Sequence, residues 1–168
     1  MHAQERRQKI LKLLHQSAHP ISASALAERF SVTRQVIVGD IALLRSGGAD
    51  ILASPRGYCI QGAAPGLVRR VAVRHTPHRM ETELNIMVDN GCTVVDVIVE
   101  HPLYGQLTGS LQLSTRAEVE QFMARSLTTQ PLSALTGGIH LHTLLCPDEA
   151  AFQRVREALR QEDILLED

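Results

Sequence analysis

The residues best equipped for chemistry are a few histidines and one glutamate. His140-Leu141-His142 lies in a stretch whose character alternates along the chain. In a strand, residues i and i+2 share a face, so these two imidazoles stand side by side at a spacing that suits a single metal ion. His75 ends an earlier β-rich segment, and Glu83 follows eight residues later inside a helical pattern. Both approach the pair if the sheet sets that earlier strand beside residues 138–145. Three neutral imidazoles and one carboxylate suit Zn²⁺, Ni²⁺ or Fe²⁺ rather than Mg²⁺. The ordinary alternative is a His-x-His pair facing solvent on an edge strand. His101, in Val99-Glu100-His101-Pro102-Leu103-Tyr104-Gly105, closes another strand beside a turn. It reads as a neighbour of the metal ligands or, with Tyr104, as a contact for a bound small molecule. His2, His15, His19 and His78 read as surface residues.

The elements that must position these groups are legible from periodicity. Residues 67–75 are β-rich through Val68, Val71 and Val73. Residues 77–90 are helical, with Met80, Leu84, Met87 and Val88 on one face and Gly91 closing the helix. Residues 93–100 are mostly β-branched, and Leu107, Gly109, Leu111 and Leu113 alternate with polar residues as a half-exposed strand does. A helix over 115–126 buries Val119, Phe122 and Met123. A strand over 138–145 follows, then a helix over 147–160 through Phe152, Val155 and Leu159, and a short extended end at 164–166. The order β-α-β-β-α-β-α predicts a sheet with helices on one face.

The first sixty residues read differently. Ile10, Leu13, Leu14 and Ser17 fall at helical spacing within 4–17, and Pro20 stops that helix. Ser22 caps a second helix through about Arg29, with Ala25, Leu26 and Phe30 inward. Thr33 caps a third helix to Arg45, in which Ile37, Ile41 and Leu44 form the buried stripe while Arg34, Gln35, Val38 and Ala42 face away. Gly47-Gly48 ends it. Residues 51–54 and 58–60 flank Pro55-Arg56-Gly57 as a hairpin. Three helices and a hairpin are the layout of a winged helix-turn-helix, whose third helix enters a major groove. Thr33, Arg34 and Gln35 open that helix; Arg and Gln pair with guanine and adenine edges, and Arg56 at the hairpin tip can meet a phosphate. A three-helix interaction module without DNA is the alternative.

Charge divides the chain at the same place. Net charge is −1, yet residues 1–62 hold eight Lys and Arg against four acids, and the remainder nine against fourteen. A basic third joined to an acidic remainder suggests two tasks, the first facing phosphate. Between them, Gln61-Gly62-Ala63-Ala64-Pro65-Gly66-Leu67 reads as a linker. The division is then 1–60, a linker at 61–67, and 68–168. No run approaches 18 apolar residues, so no membrane span is expected, and the N-terminus has no apolar core of a signal peptide. Three scattered cysteines form neither a disulfide framework nor a metal knuckle, which favours a reducing cytoplasm. With no Trp and few aromatics, base stacking on single strands is disfavoured.

Two resemblances sharpen these readings. The run Ile21-Ser22-Ala23-Ser24-Ala25-Leu26-Ala27-Glu28-Arg29-Phe30-Ser31-Val32-Thr33-Arg34-Gln35-Val36-Ile37, with Asp40-Ile41, Leu44-Arg45 and Pro55-Arg56-Gly57-Tyr58, resembles the winged helix of biotin-repressor-type bacterial regulators. The resemblance implies DNA contacts from Thr33, Arg34, Gln35, Arg45 and Arg56. Gly39 departs from it, standing where a polar helix former is usual. The second half is similar to the three-histidine (3H) domain found behind such a winged helix in niacin-responsive repressors of NAD metabolism. Arg74-His75, Glu83-Leu84, Val88-Asp89-Asn90-Gly91, the run Asp96 to Gly105, Pro131-Leu132-Ser133-Ala134-Leu135-Thr136 and Gly138-Ile139-His140-Leu141-His142-Thr143 carry it. That resemblance implies a fold like the histidine-containing phosphocarrier protein and a divalent metal, nickel or zinc, on His75, Glu83, His140 and His142. It also implies nicotinic acid as co-repressor. The expectation is therefore an α+β (α/β) protein, a homodimeric repressor on operator DNA with a small-molecule effector. A metal-sensing regulator and a metal-dependent hydrolase are the alternatives. For the hydrolase, Glu100 beside His101 would be the base, but no nucleophile motif or phosphate loop accompanies it.

Overall fold

Side-chain caps mark where several of the helices begin. The computed structural model describes residues 2–60 and 66–168. These fall in two compact units, Met1–Ala63 and Ala64–Asp168. In the first, α1 (Ala3–Gln16) is followed by α2 (Ala23–Phe30), where Ser22 accepts from Ala25 N at 3.1 Å. Helix α3 (Arg34–Ser46) starts where Thr33 accepts from Val36 N at 3.3 Å. It ends where Gly48, at φ 95°, turns the chain left-handed and Ala49 N returns to Leu44 O. Strands β1 (Ile51–Ser54) and β2 (Gly57–Ile60) pair antiparallel as the wing. Ile10, Leu14, Leu26, Ile37, Ile41 and Ile51 make the core. One inward residue differs from expectation. Ala25 is exposed and Ala23 and Ala27 are buried, because positions 23, 26, 27 and 30 form the apolar stripe once α2 begins at Ala23.

Asp40 ties this unit together. It is buried on α3 and accepts from Arg6 Nε at 2.6 Å and Arg6 Nη2 at 3.2 Å, a forked pair between α1 and α3. Arg7 adds a contact at 3.5 Å.

The second unit runs β3 (Leu67–Arg74), a 3₁₀ turn Pro77–Arg79, α4 (Met80–Asp89), β4 (Thr93–His101), β5 (Gly105–Leu113) and α5 (Arg116–Ser126). A 3₁₀ turn Leu132–Thr136, β6 (Ile139–Cys146) and α6 (Glu149–Gln161) complete it. The four strands are antiparallel in the order β3-β6-β4-β5, so β6 is central. That position overturns the edge-strand alternative for His140 and His142. The C-terminal segment lies along the outer side of β3, with Arg74 N donating to Ile164 O and Leu166 N to Ala72 O. The linker read at 61–67 falls, for residues 61–65, outside the described residues, and Leu67 already belongs to β3. Val71, Val73, Leu84, Met87, Val94, Leu144, Val155 and Leu159 fill the space between helices and sheet. No helix among the described residues is long and apolar enough to cross a membrane.

Met87 is fully buried at the centre of that core. Its replacement by Ala is expected to destabilise the second unit by about 2–5 kcal/mol in urea denaturation, with the slope unchanged.

Candidate functional site

The four sequence-predicted ligands converge on the helix-covered face of the sheet. His140 and His142 share a face of β6 with Leu144, and they pair across to Val73 and Val71 of β3. His75, one residue beyond β3, continues the inward parity of Val71 and Val73. Glu83 stands in the first turn of α4, one turn before Met87, and is fully buried. The helix N-terminus favours its negative charge.

Glu83 Oε2 is hydrogen-bonded to His75 Nε2, Glu83 Oε1 lies 3.0 Å from His140 Nε2, and His142 Nε2 is 2.8 Å from that same oxygen. The His142 contact is off the line of a hydrogen bond, which leaves its buried Nε2 without such a partner. The other ring nitrogens all face backbone carbonyls. His75 Nδ1 donates to Thr76 O at 2.7 Å, His140 Nδ1 to Gly138 O at 2.8 Å, and His142 Nδ1 to Asp96 O at 2.7 Å. A carbonyl can only accept, so each Nδ1 carries its proton and each Nε2 is the atom turned inward. This is how backbone groups orient imidazole ligands around a metal. Donor atoms of His75, Glu83 and His140 all lie within 4.8 Å of one another. The donor set, the shared tautomer and the unsatisfied Nε2 of His142 fit a divalent transition metal.

Two backbone features, not evident from residue type, set this geometry. Gly138 adopts φ 92°, and a side chain there would run into the carbonyl of His75. Its own carbonyl accepts from His140 Nδ1 and from His75 N at 3.4 Å. A register shift in β4 around Asp96 aims that residue's carbonyl at His142, while Asp96 Oδ1 accepts from Thr143 N at 2.9 Å.

Burial opposes ionisation of Glu83. The charge of His142 and the bonds from His140 and His75 nevertheless hold the carboxyl well below the usual carboxylate range. Burial likewise opposes charging of His75 and His142, yet Glu83 raises both above the ordinary imidazole value. Both directions favour a charged pairing of Glu83 with His75 and His142.

His101 and Tyr104 do not join this group. His101 Nδ1 accepts from Leu103 N at 3.1 Å and Tyr104 N at 3.3 Å, ordering the β4–β5 turn, and Tyr104 is 70% exposed. In the first unit Arg34 and Gln35 are exposed on the first turn of α3, with Val36 and Gly39 beside them. Thr33 spends its oxygen on the helix cap. Arg45 Nε donates to Ile51 O at 2.9 Å, and its guanidinium lies over Tyr58, bracing the wing. Arg56 is half-buried in the hairpin turn.

A winged helix-turn-helix followed by a sheet domain with a buried His–Glu cluster is the layout of a two-domain DNA-binding regulator. Residues 6–59 match an HTH domain and residues 68–168 match the 3H domain. The chain is 46% identical over 167 residues to the probable transcription repressor NiaR of Thermotoga maritima, covering 98% of this chain and 95% of that protein. It is 42% identical over 169 residues to the transcription repressor NadR of Bacillus subtilis, covering 97% and 94%. The chain therefore belongs to the 3H-domain family of transcription repressors, and it is a regulator rather than an enzyme.

The buried cluster makes pH dependence diagnostic. Raised imidazole values mean that the ion-pair stability is fully present below about pH 6.5 and is lost as pH rises through the folded values. At the acid end it is lost only as Glu83 protonates, below its ordinary range. Metal needs the neutral imidazoles, so its contribution grows over the same rise. In thermal melts from about pH 6 to pH 8.5, chelator-treated protein is expected to lose stability while zinc- or nickel-loaded protein gains it relative to the chelated form. Parallel slopes would remove the cluster from metal binding.

Proposed function

We propose that this chain is a cytoplasmic, effector-controlled repressor of genes for NAD synthesis or niacin uptake. Residues 1–60 bind operator DNA and residues 68–168 hold metal and effector. His75, Glu83, His140 and His142 hold one divalent ion, nickel or zinc. Such an ion supplies a Lewis-acid centre with coordination room for a ring nitrogen or a carboxylate. Nicotinic acid, as co-repressor, binds at or beside it. The observation that carries this reading is the set of three Nε2 atoms turned onto one buried carboxylate, that of His142 lacking a hydrogen bond. The resemblance to niacin-responsive repressors supplies the identity of the effector.

On DNA, the exposed Arg34 and Gln35 read base edges, Thr33 and Arg56 meet the backbone, and Arg45 holds the wing while presenting its remaining nitrogens to phosphate. One such unit reads a half-site, so a homodimer on a two-fold operator follows from geometry.

Gel-shift titration with a candidate operator tests the reading. Nicotinate and metal together are expected to tighten binding, and Arg34→Ala to weaken it by about 1–3 kcal/mol. The double variant His140→Ala/His142→Ala should lose both the ion, by elemental analysis, and the response to nicotinate. A stoichiometric ion retained in that variant defeats the ligand set. A response to metal that needs no nicotinate makes the ion itself the signal.

A further inference from the structure

Gly39 sits in the middle of α3, where glycine weakens a helix relative to alanine. Nothing among the described residues calls for it there. Its φ lies outside the left-handed region, and a Cβ at that position would meet no described side chain within 4 Å. It is exposed, on the side of α3 opposite the buried Ile37 and Ile41. At helical spacing its neighbours are Gln35 and Val36 toward the start of the helix and Ala42 and Leu43 toward its end, all four exposed. The missing side chain therefore leaves a notch with one polar and three apolar corners. Val36 at 37% and Leu43 at 56% exposure are large apolar side chains on a helix that otherwise presents Arg34 and Gln35. In a helix-turn-helix chain of a repressor family, the exposed face of this helix meets DNA.

We propose that α3 reads an adenine–thymine step, with Gln35 on the adenine edge and the thymine 5-methyl seated in the notch at Gly39, against Val36, Ala42 and Leu43. The methyl is the apolar group that a base pair displays in the major groove, and apolar side chains are its partners. Gln matches adenine N6 and N7. The two positions lie about 6 Å apart along the helix axis, so they address neighbouring base pairs rather than one. A side chain at position 39 would fill the notch and hold the helix off the bases. This rests on the reading of α3 as the groove helix and adds to it: Arg34 and Gln35 supply hydrogen bonds, and Gly39 supplies shape. One residue thus makes the helix weaker and the recognition tighter.

Duplexes selected from a randomised pool by the full chain, with zinc and nicotinate present, serve as the probe. Exchanging the thymine of the preferred sequence for deoxyuridine removes the 5-methyl and nothing else. Binding in gel shift is expected to weaken roughly fourfold for each such thymine exchanged. In Gly39→Ala the protein carries the methyl instead. That variant is expected to bind the thymine duplex roughly fivefold or more weaker and to lose the preference for thymine over deoxyuridine. Its urea midpoint should rise, since alanine is the better helix former and has room. A lower midpoint makes the glycine structural and overturns the assignment. So does an unaltered thymine preference in the variant, or indifference of the unaltered chain to deoxyuridine at every selected thymine, or a selected sequence without thymine. Arg34→Ala and Gln35→Ala separate the two readings. If neither changes the selected sequence, the groove helix is wrong and the notch falls with it; if either does while the thymine exchange has no effect, only the notch is lost.

Discussion

A fully buried carboxylate governs the second unit. A lone charge at the position of Glu83 would cost several kcal/mol of lost hydration, more than the surrounding fold could spare. The arrangement around it reads as the answer to that constraint. Strand β6 must be central, because an edge strand would leave His140 and His142 wet. Strand β3 must pair with β6 in the register that carries His75 to the same face. Helix α4 must begin where its first turn meets that face, so its N-terminal potential and its apolar stripe serve the same residue. Three backbone carbonyls, of Thr76, Asp96 and Gly138, then fix the imidazoles. Remove any of these and the charge loses a partner while staying buried.

The first unit also buries an acid, and the comparison is instructive. Asp40 is held by Arg6 and Arg7, cations that do not titrate in proteins. That pair is permanent and mechanical: it clamps α1 to α3 and leaves the Arg34–Gln35 face clear. Glu83 is held by imidazoles, which exchange a proton or accept a metal near neutral pH. The chemistry of the partners, rather than burial itself, separates a fixed brace from a site that can respond.

Much of this was legible in sequence. Apolar periodicity places every long helix and strand, and the two-residue repeat puts His140 and His142 on one face. The helical stripe Met80, Leu84, Met87 and Val88 already implied that Glu83, one turn before Met87, points toward the core. What was not legible is carried by backbone or by distant packing. The 3₁₀ turn Leu132–Thr136 has no periodicity to announce it. The carbonyls that orient the imidazoles belong to residues chosen for other reasons, and a carbonyl leaves no trace in residue type. Ala25 faces outward although Ser22 caps α2 as expected, because the apolar stripe of this short helix runs through Ala23, Leu26, Ala27 and Phe30.

The sheet carries a second buried group that binds metals in other settings, and its state sharpens the case for the histidine end. Cys92 and Cys146 place their sulfurs 2.9 Å apart at the far end of β6. Burial is the main cause that pushes the Cys92 thiol up to about 12, and Cys146 is raised in the same direction. Metals bind the thiolate, which is scarce at neutral pH when the value is that high. The thiol pair therefore packs as a small apolar contact, two residues beyond Leu144 in the same core. At the other end of the strand the imidazoles turn their inward nitrogens onto a carboxyl held well below the usual carboxylate range. One strand thus brings two clusters into the same core, and only the His140 end is electrostatically prepared for a cation.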